Sequence, residues 1–320
     1  MITLDTIQEA HDRIRPYIHR TPVLTNQTIN QRAGADIYFK PENFQKIGAF
    51  KARGGVNAVL QLAADELQNG RSIGPVITHS SGNHAQAIAY AARQVGTKAY
   101  IVMPRTAPQV KKEAVRGYGA EVIECEPTLE ARETGVQEVM ARTGATLIHP
   151  FDDDRVIAGQ ATAAKELIED AGQDKPFDIM MAPVGGGGLL SGMALATHYL
   201  SPTTIVIAGE PEGAADAIQS FQSGRVEKAP YINTIADGLL TTLSERTLGY
   251  IRQHVTDILT VSDPEIIAAM RLVWERMKII IEPSCAVPLA VVLKHPDRFA
   301  GKKVGIILTG GNVDLGKLPF

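Results

Sequence analysis

Gly185, Gly186, Gly187 and Gly188 stand in one unbroken run, between an apolar stretch that ends at Val184 and a segment rich in Leu and Ala that begins at Leu189. Four consecutive glycines let a backbone wrap closely around an anion, and the start of a following helix adds unpaired N–H groups and a positive dipole end. That combination suits a phosphate, and flexible loops rarely place four glycines at a strand-to-helix junction. The run is not a Walker loop, because GxxxxGK[ST] is absent. The strict G-x-G-x-x-G frame of a dinucleotide site also fails, because Leu190 and Ser191 occupy its closing positions, and this leaves that reading weak although the next strand ends in an acid, Glu210.

Two further turns have related chemistry. Ser80, Ser81, Gly82, Asn83 and His84 precede the Ala-rich segment 85–92, where a helix N-terminus would receive a carboxylate. A plain helix cap is the competing reading, since Ser and Asn supply caps routinely. Thr309, Gly310, Gly311 and Asn312 follow an apolar run, and a hydroxyl at such a strand end could meet a ring nitrogen, a feature that unaided is only suggestive. Lys51 lies between Phe50 and a small-residue turn, where desolvation would lower its pKa and make its amine nucleophilic. Taken alone, Lys51 is the weakest of these signals, since most lysines are solvated.

Elements of an α/β protein must position these groups. Strands are predicted at 35–39, 75–79, 99–103, 121–125, 179–183, 204–209, 258–261 and 304–308, several of them apolar on both faces as buried parallel strands are. Helices are predicted at 83–94, 128–142, 159–171, 189–200 and 264–277. The alternation predicts open, mostly parallel sheets flanked by helices, with each glycine turn at a strand end, where such sheets bind ligands. A large unit of residues 1–74 and 148–320, with a small unit of 75–147 inserted in it, fits the series.

The chain has 320 residues, 44% of them hydrophobic and 21% charged, and a net charge of −3, so the basic excess of a nucleic-acid or anionic-membrane binder is missing. Cys125 and Cys285 make no disulfide framework and have no neighbours at metal-ligand spacing. The N-terminus is not a secretory signal, and no apolar stretch approaches the roughly 20 residues needed to span a bilayer. A cytoplasmic enzyme is expected.

KPENFQKIGAFKARG (40–54), SSGNHAQAIA (80–89), VGGGGLLSG (184–192), GEPEGAAD (209–216), TIADG (234–238), WERMKIIIEPS (274–284) and LTGGNVDL (308–315) occur in this order. Together they resemble the fold-type II, tryptophan-synthase-β-like pyridoxal-phosphate enzymes, closest to the serine racemases, serine/threonine dehydratases and 3-hydroxyaspartate dehydratases. The resemblance covers nearly the whole chain. It implies that Lys51 carries pyridoxal 5'-phosphate as a Schiff base and moves the α-proton. Phe50 would pack on the ring, Asn83 would bond the phenolic oxygen, and Gly185 through Leu189 would hold the phosphate. Thr309 would face the pyridine nitrogen, leaving it largely unprotonated and favouring prompt loss of a β-leaving group.

By the same resemblance Ser80, Ser81, Asn83 and His84 grip the substrate α-carboxylate, and Ser81 stands on the cofactor face opposite Lys51. Arg132 matches an arginine that reaches a distal carboxylate, and with His84 or Thr241 it gives a reason to favour an acidic substrate. Glu210, the Ala214 carbonyl and Asp216 match a divalent-cation loop for Mg²⁺, Mn²⁺ or Ca²⁺. Cys285 falls near the cofactor, with packing its simplest role. Phe151 replaces an asparagine of animal racemases, which argues against mammal-like effector control. The chain ends at Phe320, just after the last motif, so no regulatory domain is expected. The implied activity is dehydration and deamination of a small 3-hydroxy amino acid: 3-hydroxyaspartate first, then serine, then threonine. A serine racemase with side dehydration is the alternative, and a nucleotide-binding sensor without chemistry is the alternative of another class. The resemblance also implies a homodimer.

Overall fold

The protein is described by a computed structural model covering residues 1–109 and 111–320. Its strands are β1 (Asp36–Pro41), β2 (Val76–His79), β3 (Ala99–Pro104), β4 (Glu121–Cys125), β5 (Thr146–Leu147), β6 (Ile179–Pro183), β7 (Ile205–Pro211), β8 (Asp257–Val261) and β9 (Lys303–Leu308). They form two sheets, ordered β1-β9-β6-β7-β8 and β4-β3-β2-β5, in which every pairing is parallel. Parallel pairing brings the carboxyl ends of the strands to one side, so the turns after β2, β6 and β9 open on the same edge of their sheets.

The central strands β6 and β9 are buried along their whole length, as sheets covered on both faces require. Strand alternation divides β6 between two cores. Met180 and Ala182 join Leu167, Leu190 and Met193 on one face, while Ile179 and Met181 join Val287, Leu289 and Val292 on the other. Among the described residues no helix is long and apolar enough to cross a membrane.

Some elements differ from their sequence-based expectations. The helix expected from Gly159 starts five residues earlier and spans Asp154–Ala171, with the Asp153 side chain accepting from the Arg155 N–H at 2.8 Å. Gly159 is mid-helix because of packing: a Cβ there would lie 2.6 Å from the Arg53 carbonyl oxygen on the crossing helix Lys51–Gln68. Gly54 on that partner is equally crowded, its Cβ position lying 2.3 Å from Gln160 Nε2. The helix Pro283–Lys294 tolerates the internal Pro288, a residue that ordinarily argues against helix. The short strand β5 was too brief to show in the pattern.

Between the two crossed helices lies an ion network with almost no solvent contact. Arg53 donates from Nε and Nη2 to the Glu42 carboxylate at 2.7 and 2.8 Å, and from Nη1 and Nη2 to Glu166 at 2.9 and 2.8 Å. Lys40 adds an ammonium 2.7 Å from Glu166, and the Thr21 hydroxyl donates to Glu42 at 2.7 Å. Burial opposes ionisation of Glu166, but the bonds and charges of Arg53 and Lys40 prevail and hold its pKa at about 2. This network anchors the helix whose first residue is Lys51.

Candidate active site

Lys51 begins its helix directly after the turn of residues 46–50. Ile47 in that turn has a φ of 61°, an unusual conformation for a β-branched residue, and such strain gathers where structure over-determines a functional turn. The Lys51 amine donates to the Pro150 carbonyl oxygen at 2.7 Å and lies 5.2 Å from the Phe50 ring centroid. Among the described residues it forms no ion pair. Burial lowers its pKa to about 8. At pH 7 roughly a tenth of such amines are neutral, against fewer than about one in a thousand for a solvated lysine. A cation left desolvated and without a counter-ion is poor for stability and well suited to a nucleophile.

The glycine run is not a flexible loop. A Cβ would come 2.9 Å from Leu239 Cα at Gly185, 2.3 Å from the Phe151 ring at Gly186, 2.7 Å from Leu243 Cδ2 at Gly187 and 2.9 Å from Phe151 Cβ at Gly188. Gly187 also has a φ of +84°, which disfavours side chains. Phe151 thus braces the turn, and Pro150, the residue before it, receives Lys51. The helix Gly188–Leu200 begins here with no side chain capping its N-terminus. Its free N–H groups and the bare backbone before it fit a phosphate.

At the turn after β2 the simple cap reading fails. The helix Asn83–Gln94 has no side-chain cap. Ser80 instead accepts from the Gly82 N–H at 3.3 Å, and Asn83 turns away to donate to Glu282 Oε1 at 2.9 Å. The Ser81 hydroxyl is half-buried and makes no hydrogen bond among the described residues. His84 is buried, and its Nε2 meets the Ile148 carbonyl oxygen at 3.1 Å, which requires a proton on that nitrogen. Its Nδ1 is buried without a partner, and burial followed by the Lys51 charge holds its pKa well below the ordinary value. His84 is therefore a neutral ring close to Lys51.

Thr309 follows β9 and is 3% exposed, and its carbonyl accepts from the Phe50 N–H at 3.0 Å. The fully buried Cys285 lies against Thr309; burial pushes its thiol up to about 12, which makes packing its role. Lys51, Phe50, Asn83, residues 185–188 and Thr309 thus converge, and they fit a phosphorylated pyridoxal.

Arg132 stands on the helix Leu129–Thr143, half-buried, with its Nε 3.3 Å from the Thr128 carbonyl oxygen. Its charge reaches His79, the residue before Ser80, and adds to burial in lowering that histidine's pKa. Thr241 is exposed on the segment before the helix Glu245–His254. Apart from these, Glu210 near the end of β7 accepts from the Ala217 and Ile218 N–H groups at 2.7 and 3.0 Å. Asp216 Oδ2 is buried without a partner, and Ala214 is 1% exposed. Burial raises Glu210 to about 8 and Asp216 to about 6. No group of three His, Cys, Asp or Glu side chains gathers among the described residues, so any cation here would also need a backbone carbonyl and waters.

Residues 14–310 match the model of the pyridoxal-phosphate dependent enzymes. The chain belongs to this family. It is 50% identical over 318 residues to a beta-hydroxyaspartate dehydratase of Paracoccus denitrificans, covering 99% of this chain and 98% of that protein. It is 48% identical over 314 residues to an L-threo-3-hydroxyaspartate ammonia-lyase of Saccharomyces cerevisiae, covering 98% and 94%. The crystal structure of serine racemase from Dictyostelium discoideum superposes with a TM-score of 0.91 at 51% identity, covering 98% of this chain and 99% of that one. The two helix-flanked parallel sheets are thus the fold-type II arrangement that the motifs implied.

Four neighbours of the site were not singled out in the sequence: Glu282, Asn312, His149 and Pro150. Asn312 had its place in the turn after the last strand as a signal, and Glu282 stood out as a lone acid in the apolar run from Ile279 to Val292, but neither was given a role. His149 accepts from the Asp152 N–H at 2.9 Å, and burial, then His79, lowers its pKa to about 4.

Proposed function

We propose that this enzyme removes water and then ammonia from 3-hydroxyaspartate, giving oxaloacetate by way of iminosuccinate. The reaction class rests on the Lys51 amine, desolvated, free of a counter-ion and set beside turns that leave two helix N-termini uncapped. When bound, pyridoxal phosphate supplies the electron sink that acidifies the substrate α-carbon. Lys51 takes the α-proton at Nζ, and the β-hydroxyl leaves with a proton as water. The product enamine becomes an imine, and a second water releases ammonia and the keto acid. The Ser80 and Ser81 hydroxyls and the open N-terminus of the helix Asn83–Gln94 hold the α-carboxylate. Neutral His84 leaves the negative charge to these donors. The neutral Thr309 hydroxyl would leave the nitrogen of a bound pyridine ring unprotonated, so that the ring would withdraw electrons less strongly, which favours elimination over a long-lived carbanion.

Arg132 carries the choice of an acidic substrate. Its cation acts on His79, at the mouth of the turn that holds Ser80, and the names of the Paracoccus and yeast relatives agree with a hydroxyaspartate. In Arg132→Ala, kcat/KM for 3-hydroxyaspartate should fall by about 10- to 100-fold, the loss of one charge-assisted contact, while that for serine changes less than about threefold. Equal losses for both substrates would remove the argument. A second activity, racemisation of serine, is favoured by the unbonded Ser81 hydroxyl and by the similarity to the Dictyostelium racemase.

Glu210, Asp216 and the Ala214 carbonyl form our proposed site for Mg²⁺, Mn²⁺ or Ca²⁺, where a divalent ion would relieve two acids whose ionisation burial opposes. Saturating cation should raise the melting temperature by a few degrees, since about 100 Kd of ligand is worth about 2.7 kcal/mol. A Glu210→Gln variant that kept the full response would disprove the assignment.

A further inference from the structure

We propose that Glu282 is a positioning residue for Asn83, fixing its amide so that one N–H remains free for the phenolic oxygen of the cofactor. The proposal rests on the reading of the site as one for pyridoxal phosphate. Asn83 has one acceptor and two donor hydrogens. Its Oδ1 is occupied by Asn312 Nδ2 at 2.7 Å, and one Nδ2 hydrogen goes to Glu282 Oε1 at 2.9 Å. Asn312 is itself fixed, donating to the Ile47 carbonyl oxygen at 2.8 Å in the strained turn before Lys51. The amide therefore cannot flip, and a single donor is left over.

The carboxyl of Glu282 is equally confined. The residue is 5% exposed at the start of the helix Pro283–Lys294, and its backbone N–H donates to the Gly310 carbonyl oxygen at 3.0 Å. A Cβ on Gly310 would come 2.8 Å from Oε1, so bare backbone closes that side. The Asn312 backbone N–H also reaches the carboxyl. Two charges face it from other elements: Asp237 on the turn Asp237–Leu239, and Lys111 on the helix Gln109–Gly117 beside the smaller sheet. They pair with each other at 2.8 Å. From its own helix the neighbour is the Cys285 thiol, which stays neutral. Burial first, then Asp237, raises Glu282 to about 7 against the pull of Lys111 and the Asn83 bond. Its charge therefore changes near neutrality, and the strength of its hold on Asn83 changes with it.

The test is a pH titration of the visible absorption of the cofactor-loaded enzyme from pH 6 to 9, together with the mass of cofactor fixed to Lys51 by borohydride. Wild type should titrate with a midpoint near 7. Glu282→Gln should keep the fixed cofactor and lose the titration, and Asn83→Ala should lose it too, with no further change in the double variant. Lys111→Ala should move the midpoint up, and Asp237→Asn should move it down, each by roughly half a pH unit or more. These two surface variants give a readout even if Glu282→Gln does not fold. The proposal is overturned if Glu282→Gln titrates like wild type, or if both surface variants leave the midpoint in place. If borohydride fixes no cofactor to wild type, the reading of the site fails, and the Glu282 proposal falls with it.

Discussion

Lys51→Ala should lose more than about 10³-fold in turnover with every substrate, because both the covalent anchor and the group that moves the α-proton disappear. The variant should nonetheless fold. Among the described residues Lys51 forms one hydrogen bond, to Pro150, and the cofactor-free protein bears the cost of keeping an ammonium out of water. The folded pKa of about 8 lies below the ordinary 10.5, so this penalty is full below pH 8 and vanishes as pH rises past 10.5. At pH 7 it amounts to as much as about 3 kcal/mol. The cofactor-free variant should therefore melt no lower than cofactor-free wild type, with a wider margin over wild type at pH 7 than at pH 10. A calorimetric scan beside an activity assay checks both halves. Activity retained within about tenfold would remove Lys51 from the chemistry, and a collapsed fold would make it structural.

Arg53→Met should have the largest effect on stability. It leaves the Glu42 and Glu166 carboxylates buried without the guanidinium that bridges them, and breaking such a pair by removing one partner costs about 3–5 kcal/mol. For a chain of this size that is a fall of roughly 5–15 °C in melting temperature. The difference should depend on pH in a definite sense. The native pKa of Glu166, about 2, lies below its ordinary 4.5, so its contribution is complete above pH 4.5 and is lost as pH falls toward 2. Melting curves for wild type and Arg53→Met should therefore converge in acid. A gap of the same size at pH 3 and pH 7 would show that packing, and not the ion network, sets the cost.

These residues also show what a sequence can reveal. The turn 185–188 was legible because four glycines at a strand-to-helix junction have few other uses, and here each is crowded by Phe151, Leu239 or Leu243. Lys51 was not legible by itself: the carbonyl that receives its buried amine belongs to Pro150, 99 residues away in the chain. The ordered set of motifs raised it above other lysines. Arg53, Glu42 and Glu166 gave no sign of their network, since nothing local indicates that three elements bury them together. Gly159 misled because glycine usually marks a helix end, whereas here it lets the backbone of Arg53 approach. Glu282 and Asn312 lay inside quoted motifs, yet their bond to Asn83 joins positions 199 and 229 residues apart.

The most direct test of the account is to incubate the cofactor-loaded enzyme with each stereoisomer of 3-hydroxyaspartate and with both enantiomers of serine, measuring ammonia, keto acid and substrate configuration together. Equal amounts of ammonia and oxaloacetate are expected from at least one hydroxyaspartate isomer, faster than pyruvate from serine, and none of this with Lys51→Ala. Inverted serine as the main product, with no oxaloacetate from any hydroxyaspartate isomer, would contradict it.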